Sequence, residues 1–207
     1  AAGLDGGTID PTGASINTKA KFSIIGYTGN GSGGATIEHG LGVIPTFMII
    51  KKRTGDNWMT YHQGANNFSN PERYYFELNA NSGDIGSVTT MMWNTAPTSS
   101  VFTVGSDSSV NKNNNTYISY CWGEVPGYSK FGTYRGNSSS SNGSYIHLGF
   151  RPALIIIKKF SGSDAWQMHD SARSTYNPKV AALYPSAADS ETTSGRIVDF
   201  LSDGFKH

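Results

Sequence analysis

The 207-residue chain has a single cysteine, Cys121, which excludes an intrachain disulfide and any cysteine-based zinc site. Within Tyr117-Ile-Ser-Tyr-Cys-Trp122 that thiol reads as part of a half-buried strand. Charge is scarce as well. Only 15% of residues are charged and the net charge is +1, with Lys51-Lys52-Arg53 and Lys158-Lys159 as the densest basic runs. A nucleic-acid partner needs a clustered cationic face, so none is expected. No apolar run approaches the ~20 residues that span a bilayer as a helix, and membrane insertion is not expected. Ala1-Ala-Gly-Leu-Asp-Gly-Gly7 has neither the cationic start nor the apolar stretch of a secretory leader. The first residue is not methionine, and the chain reads as a piece of something longer. Helical periodicity is missing too: no window of ~11 residues keeps a 3.6 period without glycine or proline. One short helical turn is conceivable, at Asp170-Ser-Ala-Arg173.

What the chain does contain, it contains twice. Phe22-Ser-Ile-Ile-Gly-Tyr-Thr-Gly-Asn30 returns as Tyr128-Ser-Lys-Phe-Gly-Thr-Tyr-Arg-Gly-Asn137. Ile49-Ile-Lys-Lys52 returns as Ile156-Ile-Lys-Lys159, and Trp58-Met-Thr-Tyr-His62 as Trp166-Gln-Met-His-Asp170. One offset of 107 residues separates Gly42 from Gly149, Pro45 from Pro152 and Lys52 from Lys159. Solenoid and propeller units run only ~20–50 residues, so a repeat this long implies a duplicated domain. Short apolar runs between Gly-, Ser- and Asn-rich turns predict an all-β chain of two homologous, mainly antiparallel, β-sandwich-like domains in tandem. The expected organisation is a leader or linker over 1–21, a first domain over 22–125 and a second over 126–207. Strands are expected at 22–27, 46–53, 58–62, 73–78, 88–93, 101–104 and 116–124, then at 128–134, 145–147, 153–160, 165–169 and 197–201. The second copy has no counterpart of 116–124, which predicts an unpaired edge. Either the parent chain continues past His207, the favoured reading, or a neighbouring chain fills the gap.

The residues retained in both copies make folds rather than reactions. Gly42, Pro45, Gly149 and Pro152 are read as structural turn residues, and Trp58 and Trp166 as core anchors packed on Ile49 and Ile50 or on Ile156 and Ile157. His39 and His147 hold matching places before the turn and suggest a turn-locking hydrogen bond. His169-Asp170-Ser171 is no triad, because neighbours on a strand point to opposite faces whereas a triad converges. The 28–34 loop lacks the Gly-Lys-Ser/Thr ending of a phosphate loop. No acid-rich calcium loop is present, and no carboxylate pair stands in a hydrolase motif. No catalytic residue, metal site or cofactor is therefore expected, and the chain is not read as an enzyme. Aromatic side chains beside Asn and Ser are the best binding candidates: Trp58, Tyr61, Tyr74, Tyr75, Trp93, Trp166 and Tyr176 as stacking platforms. Segments that differ between the copies, 79–86, 106–115 and 136–144, are where specificity is sought. The residues assigned to ligand binding are Tyr75, Asn113, Asn114, Asn115 and Tyr176.

Several motifs resemble a domain of bacteriophage virion proteins of the tail-fibre and tail-spike type. They are Tyr-Thr-Gly-Asn-Gly at 27–31, Gly-Leu-Gly-x-x-Pro leading to a Lys-ended strand at 40–52, and Thr-Ala-Pro-Thr-Ser-Ser-Val-Phe at 95–102. Tyr-x-x-Tyr-Cys-x-x-Glu-Val-x-Gly-Tyr-Ser-Lys-Phe-Gly at 117–132, Gly-Phe-Arg-Pro-Ala at 149–153 and Asp-Ser-Ala-Arg at 170–173 complete the match. The resemblance implies a virion structural protein, a tail-fibre or spike segment involved in attachment to the host surface through glycan. It further implies other virion proteins as partners and a homo-oligomer, a trimer among the options. A spacer or capsid-decorating protein without ligand is the alternative, and a surface-polysaccharide depolymerase the third reading.

Overall fold

The computed structural model describes residues 3–86, 88–92, 94–139, 142–193 and 197–207. The chain is all-β, with antiparallel strands in several sheets. It divides into two compact units, one of Ala1–Leu78 with Asp84–Val125, the other of Asn79–Gly83 with Pro126–His207.

The first unit is built on a six-stranded antiparallel sheet. Its strands, in spatial order, are β1 (Gly13–Asn17), β2 (Phe22–Thr28), β8 (Thr116–Trp122), β4 (Phe47–Lys52), β5 (Trp58–His62) and β6 (Phe76–Glu77). The two longest strands, β2 and β8, alternate strictly between buried and half-buried positions, because successive side chains of a strand point to opposite faces. One face buries Ile25, Tyr27, Met48, Ile50, Met59, Tyr61, Tyr117 and Cys121. Against it packs a two-stranded layer, β3 (Ala35–Glu38) with β7 (Val101–Val104), which brings in Ile37, Phe102 and Val104. The result is sandwich-like. Tyr27 and Tyr117 stack in its centre with ring centroids 5.1 Å apart. Their hydroxyls donate to Val110 O and Ser108 O, both at 2.7 Å, so no phenol is buried unsatisfied. Those carbonyls belong to a short α-helical turn, α1 (Ser108–Asn111). Its last residue, Asn111, is fully buried, donates to Asn30 Oδ1, Ser32 O and Gly105 O, and accepts from Asn30 N. One side chain thereby organises the glycine-rich 28–34 loop.

The second unit holds a hairpin of β10 (Leu154–Ile157) with β11 (Gln167–Asp170). It also holds a three-stranded sheet of β12 (Asp199–Leu201), β13 (Gly204–Lys206) and β9 (Tyr145–His147). Its apolar cluster is small: Ile155, Val198, Phe200 and Phe205, with Ile146, Leu148 and Ile157 half-buried around them.

Several expectations need correction. Residues 1–21 are not a passive leader: β1 pairs along its length with β2, Ile9 bridges Ile37, and Leu4 and Ile9 are buried. β1 is exposed throughout, so it contributes main-chain hydrogen bonds and leaves no hydrophobic alternation to read. Residues 88–92 form turns rather than a strand, and Met91 and Met92 enter the core from there. The strand expected over 73–78 shrinks to β6, because Pro71–Arg73 forms a 3-10 turn. No strand forms at 128–134. β2, whose sequence is similar, is held along its length by β1 and β8, and among the described residues no such ladder runs along 128–134. Residues 171–173 are a turn without helix, closed by Asp170, which accepts from the backbone N–H groups of Ala172 and Arg173 and from Arg173 Nε.

Candidate functional site

The face of the six-stranded sheet that turns away from the core carries the most organised display of side chains in the first unit. Register places Phe22, Trp122, Phe47 and His62 opposite one another on β2, β8, β4 and β5, with Asn17 of β1 ending the row. The ring centroids of Phe22 and Trp122 lie 4.9 Å apart, those of Trp122 and Phe47 5.4 Å, and those of Phe47 and His62 6.0 Å. All three spacings fall within the range of favourable aromatic pairs. Tyr120, two residues before Trp122 on the same face, stacks on it at 6.2 Å. The next row aligns Ser15, Ile24, Tyr120, Ile49 and Thr60, and the third aligns Gly26, Ile118, Lys51 and Trp58. Phe47 is buried within this array; Phe22, Ile24, Ile49, Ile118, Tyr120 and Trp122 stay half-exposed.

Electrostatically the array is nearly neutral. Burial pushes the His62 imidazole down to about 4, so it is uncharged at neutral pH, and its Nδ1 accepts from Gly64 N at 2.9 Å. The one cation is Lys51, whose ammonium lies 5.8 Å from the Trp58 ring centroid and donates to the carbonyls of Lys52, Gly55 and Asp56 in the β4–β5 turn. A nearly neutral aromatic surface with polar groups at its margin suits stacking against the apolar face of a ring such as a sugar.

The residues singled out from sequence fall elsewhere. Tyr75 packs half-buried against the core, its backbone bridged to Ile85, and burial raises its phenol. Asn113, Asn114 and Asn115 form the turn between α1 and β8. Asn114 is left-handed (φ 61°) and its N–H donates to Gly29 O, while Asn115 Nδ2 donates to Asn113 O. Tyr176, in the second unit, is 85% exposed, and its carbonyl accepts from Lys179 Nζ. Tyr75 and the three asparagines belong to the first unit and Tyr176 to the second. Trp166 is buried, with its backbone N–H donating to Ser186 Oγ. Trp58 is half-buried on the outer face. Opposite Lys51 in the register, it points away from the core face that Ile50 shares with Met59, so packing on Ile50 is not realised. Tyr61 is buried on the core face. Trp93 and residues 140–141 of the 136–144 segment lie outside the described residues.

Gly42 (φ 69°) and Gly149 (φ 84°) adopt the left-handed backbone their turns require, and Pro45 and Pro152 are buried beside them. His39 is fully buried, its Nδ1 accepting from Leu41 N and its Nε2 within 3.1 Å of Thr98 O. His169, also fully buried, has no hydrogen-bond partner at either ring nitrogen. Cys121 is buried in the core face, which pushes its thiol up to about 12. Among the described residues, no three His, Cys, Asp or Glu side chains gather as a metal-ligand set, and no helix is long and apolar enough to cross a membrane.

Sequence reasoning missed Phe22, Phe47, Tyr120 and Trp122. Alternation in Tyr117-Ile-Ser-Tyr-Cys-Trp122 does send Tyr120 and Trp122 to the face opposite Cys121, but the row itself exists only through cross-strand register. A family model described as a domain of unknown function (DUF7483) matches residues 2–207. No curated protein matches the chain, and no solved structure does.

Proposed function

We propose that this chain, which belongs to the DUF7483 family, is a bacteriophage virion segment of tail-fibre or spike type that attaches to the bacterial surface by binding glycan. The observation that carries the binding reading is the row of Phe22, Trp122, Phe47 and His62 across four strands, extended by Tyr120. Phe22, Tyr120 and Trp122 keep half-exposed ring surface on this face, and aromatic surface left in contact with water on a sheet is a candidate place for a ligand or partner. The virion setting rests on the motifs at 27–31, 95–102 and 117–132. Weak stacking sites gain avidity when several copies are linked, without any new contact, which suits a homo-oligomeric fibre surrounded by other virion proteins.

Binding of the purified protein to bacterial cells, before and after their surface glycans are stripped, tests the reading. Saturable binding that falls on stripping is expected, with Trp122→Ala and Tyr120→Ala weakening it at least about tenfold, on the order of the loss of one stacked ring. Absence of binding at any reachable concentration overturns attachment in favour of a spacer without ligand. Release of reducing sugar from the stripped polysaccharide overturns it in favour of a depolymerase.

A further inference from the structure

In the first unit, β4 is a central strand, paired with β5 on one side and β8 on the other. β10 carries the same Ile-Ile-Lys-Lys ending and turns into β11 as β4 turns into β5. The two turns are braced alike. Lys51 Nζ donates to the carbonyls of Lys52, Gly55 and Asp56, and Lys158 Nζ to those of Asp164 and Asn81. Yet among the described residues β10 has a strand on one side only.

The backbone of that open side can be read from the ladder. Ile156 stands opposite Met168, whose N–H and C=O are both engaged by Leu183 on the far side of β11. In an antiparallel ladder the two members of such a pair both direct their backbone groups outward. The N–H and C=O of Ile156, and of Leu154 two residues earlier, therefore face away from β11 with no strand opposite them. Their side chains are exposed too, Leu154 at 53% and Ile156 at 44%, whereas Phe47 of β4 is 9% exposed under the Trp122 ring of β8. Edges left open to solvent are normally blunted by proline, a bulge or a charge within the strand. Leu154-Ile-Ile-Ile157 has none of these.

We propose that the open edge of β10 accepts one antiparallel strand of the β8 kind, supplied by a polypeptide segment outside residues 1–207. Such a strand alternates small or polar residues toward the core with large aromatic ones outward, as Ser119 and Cys121 alternate with Tyr120 and Trp122 in β8. In the register of β8 on β4, its aromatic residues lie beside Leu154 and Ile156 and cover them, and its backbone takes up the outward N–H and C=O groups. The docking is independent of glycan binding, because it uses the second unit and no residue of the aromatic row.

A peptide with the sequence of residues 115–124, serine replacing its cysteine, supplies the probe. Hydrogen exchange of the intact chain is followed by mass spectrometry with fragmentation, at low protein concentration, with and without the peptide. The Leu154 and Ile156 amides are expected to exchange rapidly alone and at least about tenfold more slowly with peptide. Ile156→Pro, which removes the outward N–H, and Ile156→Lys, which places a charge on the edge, should each abolish that protection. Unchanged slow exchange of the Gln167 and His169 amides, which face β10, reports that the hairpin is retained. Slow exchange without peptide means the edge is already paired and overturns the proposal, as does peptide binding that leaves these two amides unprotected. Protection that appears without peptide as protein concentration rises assigns the edge to a second copy of the chain, and equally overturns it.

Discussion

Trp58 and Trp166 occupy matching places in sequence and different environments in the fold, which makes them a direct measure of what burial contributes. Trp166 is buried beside Ser186, so Trp166→Ala removes a full aromatic volume and should cost ~3–5 kcal/mol. Trp58 is half-buried on the outer face under Lys51, so Trp58→Ala should cost roughly 1 kcal/mol, near the typical single substitution. Urea melts of the two variants check the contrast; equal losses would mean the face of Trp58 has been misassigned.

Histidines set the pH dependence. Burial lowers His39, His62 and His169 below the ordinary imidazole value, His62 to about 4. Between about 4 and 6.5 the unfolded chain takes up a proton that native His62 refuses, so stability falls as pH drops through this window and is flat above it. The contribution of His62 is roughly 2–3 kcal/mol after allowance for its partial solvent access. Asp56, held low by its Lys52 hydrogen bond, and Asp170, held low by the Arg173 backbone N–H, lose stability only below the ordinary carboxylate range. Denaturation midpoints at pH 7, 5.5 and 4.5 should therefore decline in the wild type and decline less in His62→Gln.

At the scale of elements, β1 is the least legible strand and among the most consequential. All five of its residues are exposed, yet it pairs along β2 and forms the edge of the sheet in that strand's place. Removing residues 1–18 also takes away the buried Leu4 and Ile9. The truncated chain is expected to unfold at lower urea and to scatter light on standing, because β2 then presents an open edge. An unchanged urea midpoint would restore 1–21 to the status of a linker. The failed strand at 128–134 teaches the complementary lesson. Its sequence echoes β2, but a strand needs a ladder along its length, and among the described residues none runs along 128–134.

For the molecule as a whole, the two units carry unequal cores. Among the described residues, the first joins eighteen buried residues into one cluster and the second joins four. Buried apolar area is the dominant stabilising term, so thermal unfolding should occur in two steps with the second unit melting first. Calorimetry, with hydrogen exchange of the β11 amides reporting the lower transition, checks the order; a single cooperative transition would contradict it. Far-UV circular dichroism should read less than about a fifth helix, since only α1 and short 3-10 turns are helical among the described residues.

The sequence by itself determined the all-β class, the places of the strands expected at 22–27, 46–53, 58–62, 101–104 and 116–124, and the glycine-bearing turns at Gly42 and Gly149. Each depends on local information: a period of two, a turn composition, or a backbone angle only glycine adopts readily. Tertiary structure alone decided which strands became neighbours. That choice aligned Phe22, Trp122, Phe47 and His62 into one row, placed Trp58 outside the core and Trp166 within it, and left β10 with an open side. Residues far apart in the chain meet through the hydrogen-bond register between strands, and no single strand's sequence carries its partner's register.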